Sequence, residues 1–223
     1  MNADQWTTKG YEQLAQEDCA GALASFEQVL STESTNVEGL YGQARAKFKL
    51  ERYAEAVQDF DQLINLIPKN ATYYSERGVA LHLAGDNQRA LADFDEGVVL
   101  EPDNPYRYSS RAYIKDRMRD YQGAIDDYTK AIELDPEDAI AYNNRGLVEE
   151  KLGYQQKAQR SFQQADALNP AKPSSLETSF PPINSAADPP QPKAKDYLRV
   201  MRSVFTSSDS FREFVSFLRR KRS

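Results

Sequence analysis

Apolar and polar positions recur with a helical period over most of the chain. Around Tyr142, Leu147 and Leu152, apolar residues return at the spacing that places them on one face of a helix. Glycine, asparagine, aspartate or proline interrupts the pattern at short intervals, and a second amphipathic segment follows each interruption. The pattern therefore predicts an all-α chain of short helices joined by tight turns.

The same pattern repeats every 34 residues. A small alanine recurs without a gap, an aromatic residue follows it four positions later, and a proline follows each of the last four alanines by twelve positions. The alanines are Ala22, Ala56, Ala90, Ala124 and Ala158, the aromatics Phe26, Phe60, Phe94, Tyr128 and Phe162, and the prolines Pro68, Pro102, Pro136 and Pro170. The period divides the chain into units 3–36, 37–70, 71–104, 105–138 and 139–172, each predicted to be two helices.

Local signals predict where these helices begin and end. The first helix of a unit should end near Gly85, Gly153 or the polar residue at that place in other units, because a helix often ends in a left-handed residue. The proline stops the second helix. A helix-capping side chain then opens the next unit. The predicted caps are Asn36, Asn70, Asn104 and Asp138.

This pattern of alanine, aromatic residue and proline resembles the tetratricopeptide repeat family over residues 3–172. The first helix often carries the glycine of that family as well, at Gly10, Gly78 or Gly146. The chain departs from the family where leucine is usual. The residues at that place are Lys9, Gln43, Arg77, Arg111 and Arg145. The resemblance implies a right-handed superhelical solenoid of five helix-turn-helix units, whose first helices line a concave groove.

Grooves of this family bind extended or helical peptides, so the resemblance also implies a binding surface. Its residues here would be Tyr11, Leu14, Tyr41, Arg45, Phe48, Lys49, Val79, His82, Tyr113, Asp116, Arg117, Asn143, Asn144 and Leu147. The alternative for any of them is ordinary packing between helices. The carboxylate clamp of chaperone-binding members is absent, because Tyr11, Gly42 and Glu76 stand at clamp positions.

The arginines that replace leucine predict ion pairs between units. Each second helix from the second to the fourth unit carries an aspartate, and each following unit carries an arginine. Pairing within a unit would leave Asp59 and Arg145 without partners, whereas pairing with the next unit leaves no group over. We therefore predict ion pairs that fix the stacking register. The pairs are Asp59–Arg77, Asp93–Arg111 and Asp127–Arg145.

Residues 173–195 and 196–223 differ from the repeats. The first segment is rich in proline and serine and is predicted to be a disordered linker. The second is predicted to be a basic amphipathic helical tail that docks through its apolar side chains. These are Tyr197, Leu198, Met201, Phe205, Phe211, Phe214 and Leu218. From Lys193 onward nine basic residues oppose three acidic ones, a charge of +6, so the net charge of −6 leaves −12 on the residues before it.

Three surfaces compete for the tail. The first is the chain's own body, either in the groove or over the exposed end of the fifth unit, and opposite charge favours it. The second is an anionic membrane surface, where a basic amphipathic helix can lie. The third is a separate protein. Tail docking in cis, on a membrane or on a partner stays open at this point.

Signals for catalysis or cofactors are weak. The single histidine, His82, and the single cysteine, Cys19, fall in different units, so neither a metal site nor a nucleophile–base pair is expected. The acidic body argues against nucleic acid. The lone cysteine and the lack of a signal peptide favour the cytoplasm. We expect a non-enzymatic scaffold for a protein or peptide partner, with no cofactor, and a peripheral membrane tether as the alternative.

Overall fold

A computed structural model describes residues 1–169 of the 223-residue chain, and within that range every regular element is an α-helix. Each of the five predicted units contributes two helices. They are α1 Ala3–Ala15, α2 Cys19–Thr32, α3 Val37–Lys49, α4 Tyr53–Leu66, α5 Ala71–Leu83, α6 Asn87–Leu100, α7 Pro105–Arg117, α8 Tyr121–Leu134, α9 Ala139–Lys151 and α10 Gln155–Leu168.

The first helix of every unit ends in the same left-handed turn. The left-handed residues are Glu17, Glu51, Gly85, Arg119 and Gly153, with φ of 63°, 60°, 90°, 65° and 77°. The next residue closes the turn by donating its N–H to a carbonyl five positions back, as Asp18 does to Gln13 over 2.9 Å. The prediction of a helix end at Gly85, Gly153 or a polar substitute is confirmed.

The predicted helix caps are also confirmed. The Asn36 side chain accepts a hydrogen bond from the Gly39 N–H at 2.9 Å, and Asp138 accepts from the N–H groups of Ile140 and Ala141. Asn70 and Asn104 bind the second N–H of their helices in the same way. These bonds satisfy donors that the first turn of a helix leaves open.

The recurring alanine and aromatic residue form the core between helices. The alanines are at most 1% exposed, and Phe26, Phe60, Phe94 and Tyr128 at most 2%. Phe26 lies between Gly10 of its own unit and Gly42 of the next, and a Cβ at either glycine would collide with its ring. Small residues at these crossings thus let the Phe26 ring join two units.

Curvature follows from which helices touch. Each helix packs on the next in sequence, and the first helices of neighbouring units also pack on one another, as in α1/α3, α5/α7 and α7/α9. Contacts between second helices of neighbouring units are at most marginal in the described part of the chain. The first helices therefore lie on the inside of the curve, and we call the surface formed by α1, α3, α5, α7 and α9 the inner face.

The two ends of the described array are polar. Glu12 is exposed where the later units bury Ala46, Ala80, Ile114 or Val148. At the other end, Gln159 and Asp166 replace branched aliphatic residues of the earlier units. Those residues are Leu23, Val57, Leu91 and Ile125 for Gln159, and Leu30, Ile64, Val98 and Ile132 for Asp166. Units one and five thus have outer faces suited to water.

The predicted pairs Asp59–Arg77, Asp93–Arg111 and Asp127–Arg145 are wrong, although Arg77 and Arg111 each bind a different aspartate of the preceding unit. Arg77 forms two hydrogen bonds to Asp93 of its own unit, at 2.6 and 2.9 Å. Its third contact is Asp61 of the preceding unit, at 2.6 Å. Arg111 repeats the arrangement with Asp127 and Asp95. The aspartates considered from sequence face their own first helix, and those two positions further along the second helix face the next unit.

Asp59 and Arg145, which pairing within a unit was expected to leave without partners, bind other side chains. Lys47 lies 2.6 Å from the Asp59 carboxylate within the second unit. Arg145 donates to the hydroxyls of Ser161 at 3.2 Å and Thr129 at 3.4 Å. The elimination argument failed because a lysine one turn along and a serine both serve as partners. We call Arg77, Arg111 and Arg145 the arginine row.

Candidate functional site

A cluster of aromatic side chains occupies the inner face of the first three units. The Tyr11 ring meets the Phe26 ring edge-on at 5.1 Å, and its hydroxyl donates to the Glu38 carbonyl at 3.4 Å. Burial, followed by the nearby Glu38, raises the pKa of Tyr11 to about 12. Tyr11 therefore remains a neutral hydrogen-bonding ring at neutral pH.

Tyr41 links the second and third units. Its hydroxyl donates to the Glu76 carboxylate at 2.7 Å, and the Arg45 guanidinium lies 5.6 Å from its ring centre. Burial first, and then Glu76, raise the pKa of Tyr41 far above its ordinary value. Beside this group, the Phe48 ring meets the Tyr53 ring edge-on at 5.4 Å. The arrangement is a partly exposed aromatic surface with one cation held on it.

A second cluster lies on the third and fourth units. The His82 ring meets the Tyr113 ring edge-on at 5.5 Å, and its Nδ1 lies 2.6 Å from the Asn87 amide oxygen. Arg117 donates to the Tyr113 hydroxyl at 2.8 and 3.2 Å and lies over the same ring at 5.1 Å. Histidine and arginine thus approach one tyrosine from two helices.

The buried carboxylate of Asp116 joins the fourth unit to the fifth. Lys151 donates to both of its oxygens, at 2.6 and 2.7 Å. Each junction along the inner face therefore has at least one contact made by a side chain. They are Tyr11 with Glu38, Tyr41 with Glu76, His82 with Tyr113, and Asp116 with Lys151.

Several residues of the predicted groove are packed between helices. Leu14, Val79, Leu147 and Asn144 are buried, which matches the alternative of ordinary packing. Asn143 is half-buried, and its amide oxygen has no hydrogen-bond partner among residues 1–169. The open part of the inner face is consequently narrower than the full set. It includes Tyr11, Tyr41, Arg45, Phe48, Lys49, His82 and Arg117.

Sequence reasoning missed Glu76 and Lys151 as partners on this face. Both bind a residue that lies 35 positions earlier, which is one repeat plus one residue. An offset of 35 residues connects the first helix of one unit with the first helix of the next, because these two helices lie side by side. A search for complementary polar residues at this offset would have found both pairs.

Other chemistry has little support in the described residues. Within 1–169 no group of three metal-binding side chains is present, and no helix is long and apolar enough to cross a membrane. Cys19 lies on α2 and His82 on α5. The predicted linker and the tail-docking residues, from Tyr197 to Leu218, lie outside the described residues.

Comparison with known families follows the repeats closely. Family profiles described as tetratricopeptide repeat match residues 7–66, 41–105 and 139–172, and one described as TPR repeat matches residues 120–153. No curated protein matches the chain. The matched segments fall on the helix pairs described above.

Solved structures share the architecture. MamA from Desulfovibrio magneticus RS-1 is 21% identical with a TM-score of 0.71, over 76% of this chain and 96% of that one. YrrB, described as a TPR protein with an unusual peptide-binding site, is 19% identical with a TM-score of 0.64, over 76% and 87%. A repeat protein from Parabacteroides merdae is 18% identical with a TM-score of 0.69, over 75% and 67%. At these identities the similarity establishes the fold.

Proposed function

Because the chain belongs to the tetratricopeptide repeat family, we propose that it is a non-enzymatic scaffold that holds a peptide or helix of a protein partner on its inner face. One observation carries the proposal. The first helices line the inside of the curve, and on them aromatic rings remain partly exposed beside polar groups that are already fixed by contacts between units.

The chemistry of this surface suits a polypeptide. Tyrosine and arginine are the residues that contribute most at protein interfaces, because each offers a large apolar area together with hydrogen-bonding groups. Arg45 lies 5.6 Å from the Tyr41 ring centre and Arg117 lies 5.1 Å from that of Tyr113, so these side chains are already in contact and lose less freedom when a ligand binds. A protein whose title reports a peptide-binding site has the same fold, which supports the proposal by analogy.

Peptide display on the immobilised full-length protein tests the proposal. Selected peptides carrying a photo-reactive group should cross-link to α3, α5, α7 or α9. Leu83→Arg, which changes a 46% exposed leucine at the edge of the inner face, should weaken binding at least about tenfold. Val99→Arg is the matched control, because Val99 is 71% exposed on α6, a second helix.

Two results would contradict the scaffold. One is a display experiment that selects no peptide. The other is cross-linking confined to the second helices, with equal effects of Leu83→Arg and Val99→Arg.

We propose in addition that the basic tail occupies the inner face until a partner displaces it. The support is the predicted apolar stripe of the tail, which needs a surface to cover it, while the charge of +6 from Lys193 onward against −12 on the preceding residues draws the tail toward the body as a whole. A membrane tether is the competing role for the tail. Deleting residues 173–223 leaves all ten described helices, and tighter peptide binding by this variant would support self-occupancy. Unchanged peptide binding together with lost binding to anionic vesicles would support the tether instead.

A further inference from the structure

Three cations on the inner face have no acidic partner. Arg45, Lys49 and Arg117 form no ion pair within 4.0 Å among residues 1–169. Other cations of the same helices are paired. They include Lys47 with Asp59 on the second unit and Arg111 with Asp127 on the fourth. The chain has more acidic than basic residues, so cations that lack an acidic partner on one face indicate that a ligand supplies the anion.

The two arginines are held in place by their own tyrosines. Arg45 lies 5.6 Å from the ring centre of Tyr41, and Arg117 lies 5.1 Å from that of Tyr113. A guanidinium held beside a ring can still bind a carboxylate through the N–H groups that the ring and its hydroxyl leave uncovered. Stacking also reduces the entropy that such a bond costs.

Acidic groups nearby are already engaged. Glu76, which shares Tyr41 with Arg45, accepts the Tyr41 hydroxyl at 2.7 Å. Asp116, the neighbour of Arg117 in sequence, accepts two hydrogen bonds from Lys151. Each contact fixes its carboxylate on a partner across a unit junction. Arg117 uses its Nε and Nη2 on the Tyr113 hydroxyl, so its Nη1 and the guanidinium of Arg45 are the donors left for a ligand.

We infer that the partner of the inner face is an extended acidic peptide with two carboxylate side chains, one bound by Arg45 and Lys49 and the other by Arg117. The inference rests on the proposed scaffold function. Helices α3 and α7 are two steps apart in the solenoid, and each step is about 8–10 Å, which gives about 16–20 Å. At about 3.3–3.6 Å per extended residue, the two acids are about five or six positions apart.

The third unit specifies the residue between the two acids. Its part of the inner face presents the His82 ring and Leu83, which is 46% exposed. The ligand therefore needs no carboxylate at this point. An apolar side chain in the middle of the peptide would cover Leu83, and removing this apolar surface from water would favour binding. The recognised pattern is thus acid, apolar, acid over about seven residues.

Fluorescence anisotropy with the full-length protein tests this pattern. The probes are labelled peptides of glycine and serine with a central leucine and two aspartates, separated by about two, six or ten positions. The six-position peptide should bind about tenfold more tightly than the others and weaken between about 0.05 and 0.3 M salt. Arg45→Ala and Arg117→Ala should each weaken it about tenfold. Arg160→Ala, an exposed arginine of α10, is the matched control and should have no effect.

Equal affinity for the three spacings, or variants that behave like Arg160→Ala, would overturn the acidic pattern. Its failure is distinguishable from failure of the scaffold. Displayed peptides that cross-link to the inner face but lack the acidic pair would refute the pattern and leave the scaffold standing. Cross-links confined to second helices would refute both.

Discussion

Arg111 and Arg117 lie six residues apart on the same helix and have opposite environments. Arg111 is largely buried and binds Asp127 of its own unit and Asp95 of the preceding one. Arg117 is exposed, contacts the Tyr113 ring and forms no ion pair within residues 1–169. The arginine row is complete without a ligand, whereas the inner face has cations that are ordered but unpaired.

The difference separates cations that stabilise the fold from cations that we propose bind a partner. A charge removed from water needs a partner inside the protein, because an unpaired buried charge is strongly destabilising. A stacked, exposed guanidinium has no such requirement. Substitutions in the arginine row should therefore affect stability, and substitutions of Arg45 or Arg117 should affect binding.

The largest effect is expected from Asp127→Ala. It removes a buried carboxylate that binds both Arg111 and Lys115, so we expect a loss of about 2–3 kcal/mol in the free energy of unfolding. Urea denaturation followed by circular dichroism measures it. The matched control is Asp126→Ala, one residue earlier and exposed, with an expected change within about 0.5 kcal/mol. Equal losses in the two variants would show that the buried ion pairs of the row do not stabilise the fold.

A smaller loss is expected from Asp95→Ala. The Asp95 side chain is 54% exposed and supplies the contact from the preceding unit to Arg111, so its removal should cost about 0.5–1 kcal/mol. The loss should diminish at high salt, because exposed ion pairs are screened. A loss as large as that of Asp127→Ala would contradict the distinction between the buried contact of Arg111 with Asp127 and its exposed contact with Asp95.

Thr129→Asp should stabilise the junction of units four and five by about 0.5 kcal/mol. Thr129 stands where Asp61 and Asp95 stand in the earlier units, and its hydroxyl now accepts a 3.4 Å hydrogen bond from Arg145. Gln163→Asp, at the same place in the fifth unit, has no arginine from a following repeat in the described array and is the control. The urea midpoint should rise for the first variant and not for the second.

The smallest stability effect is expected from Arg117→Ala, within about 0.5 kcal/mol of the unsubstituted protein. The side chain is exposed, and its contacts are a tyrosine ring and hydroxyl of its own helix. The comparison would fail if this variant lost as much stability as Asp127→Ala, since Arg117 would then belong to the structure that holds the units. Thermal unfolding measures the stability of this variant, and the anisotropy assay measures its peptide affinity on the same sample.

Sequence predicted those parts of the fold that depend on local chemistry. The caps Asn36 and Asp138 and the turns at Gly85 and Gly153 need only neighbouring residues, so the linear pattern was sufficient. Pairing of Arg77 required knowing that Asp93 and Asp61 face opposite directions, although both occupy second helices. That direction depends on how the two helices cross, which the repeat pattern does not specify.

The candidate site was predicted only in outline for a related reason. Placing Tyr41 and Arg45 on the inner face followed from the resemblance, but the bond from Tyr41 to Glu76 depends on the offset between neighbouring helices. The same offset decides that Val79 is buried and Leu83 is exposed, although they lie one turn apart on α5. Exposure on a curved surface is a property of the assembled units.

The polar residues Glu12, Gln159 and Asp166 give the two outer faces of the described array a different character from its internal junctions. Internal units present matching apolar faces on both sides, so an engineered copy of unit 71–104 inserted in frame would meet compatible neighbours and lengthen the inner face by one step. A unit appended after the fifth would meet Gln159 and Asp166 instead. These three side chains thus make the two ends of the described array poor docking faces for a further unit, whereas its internal junctions would accept one.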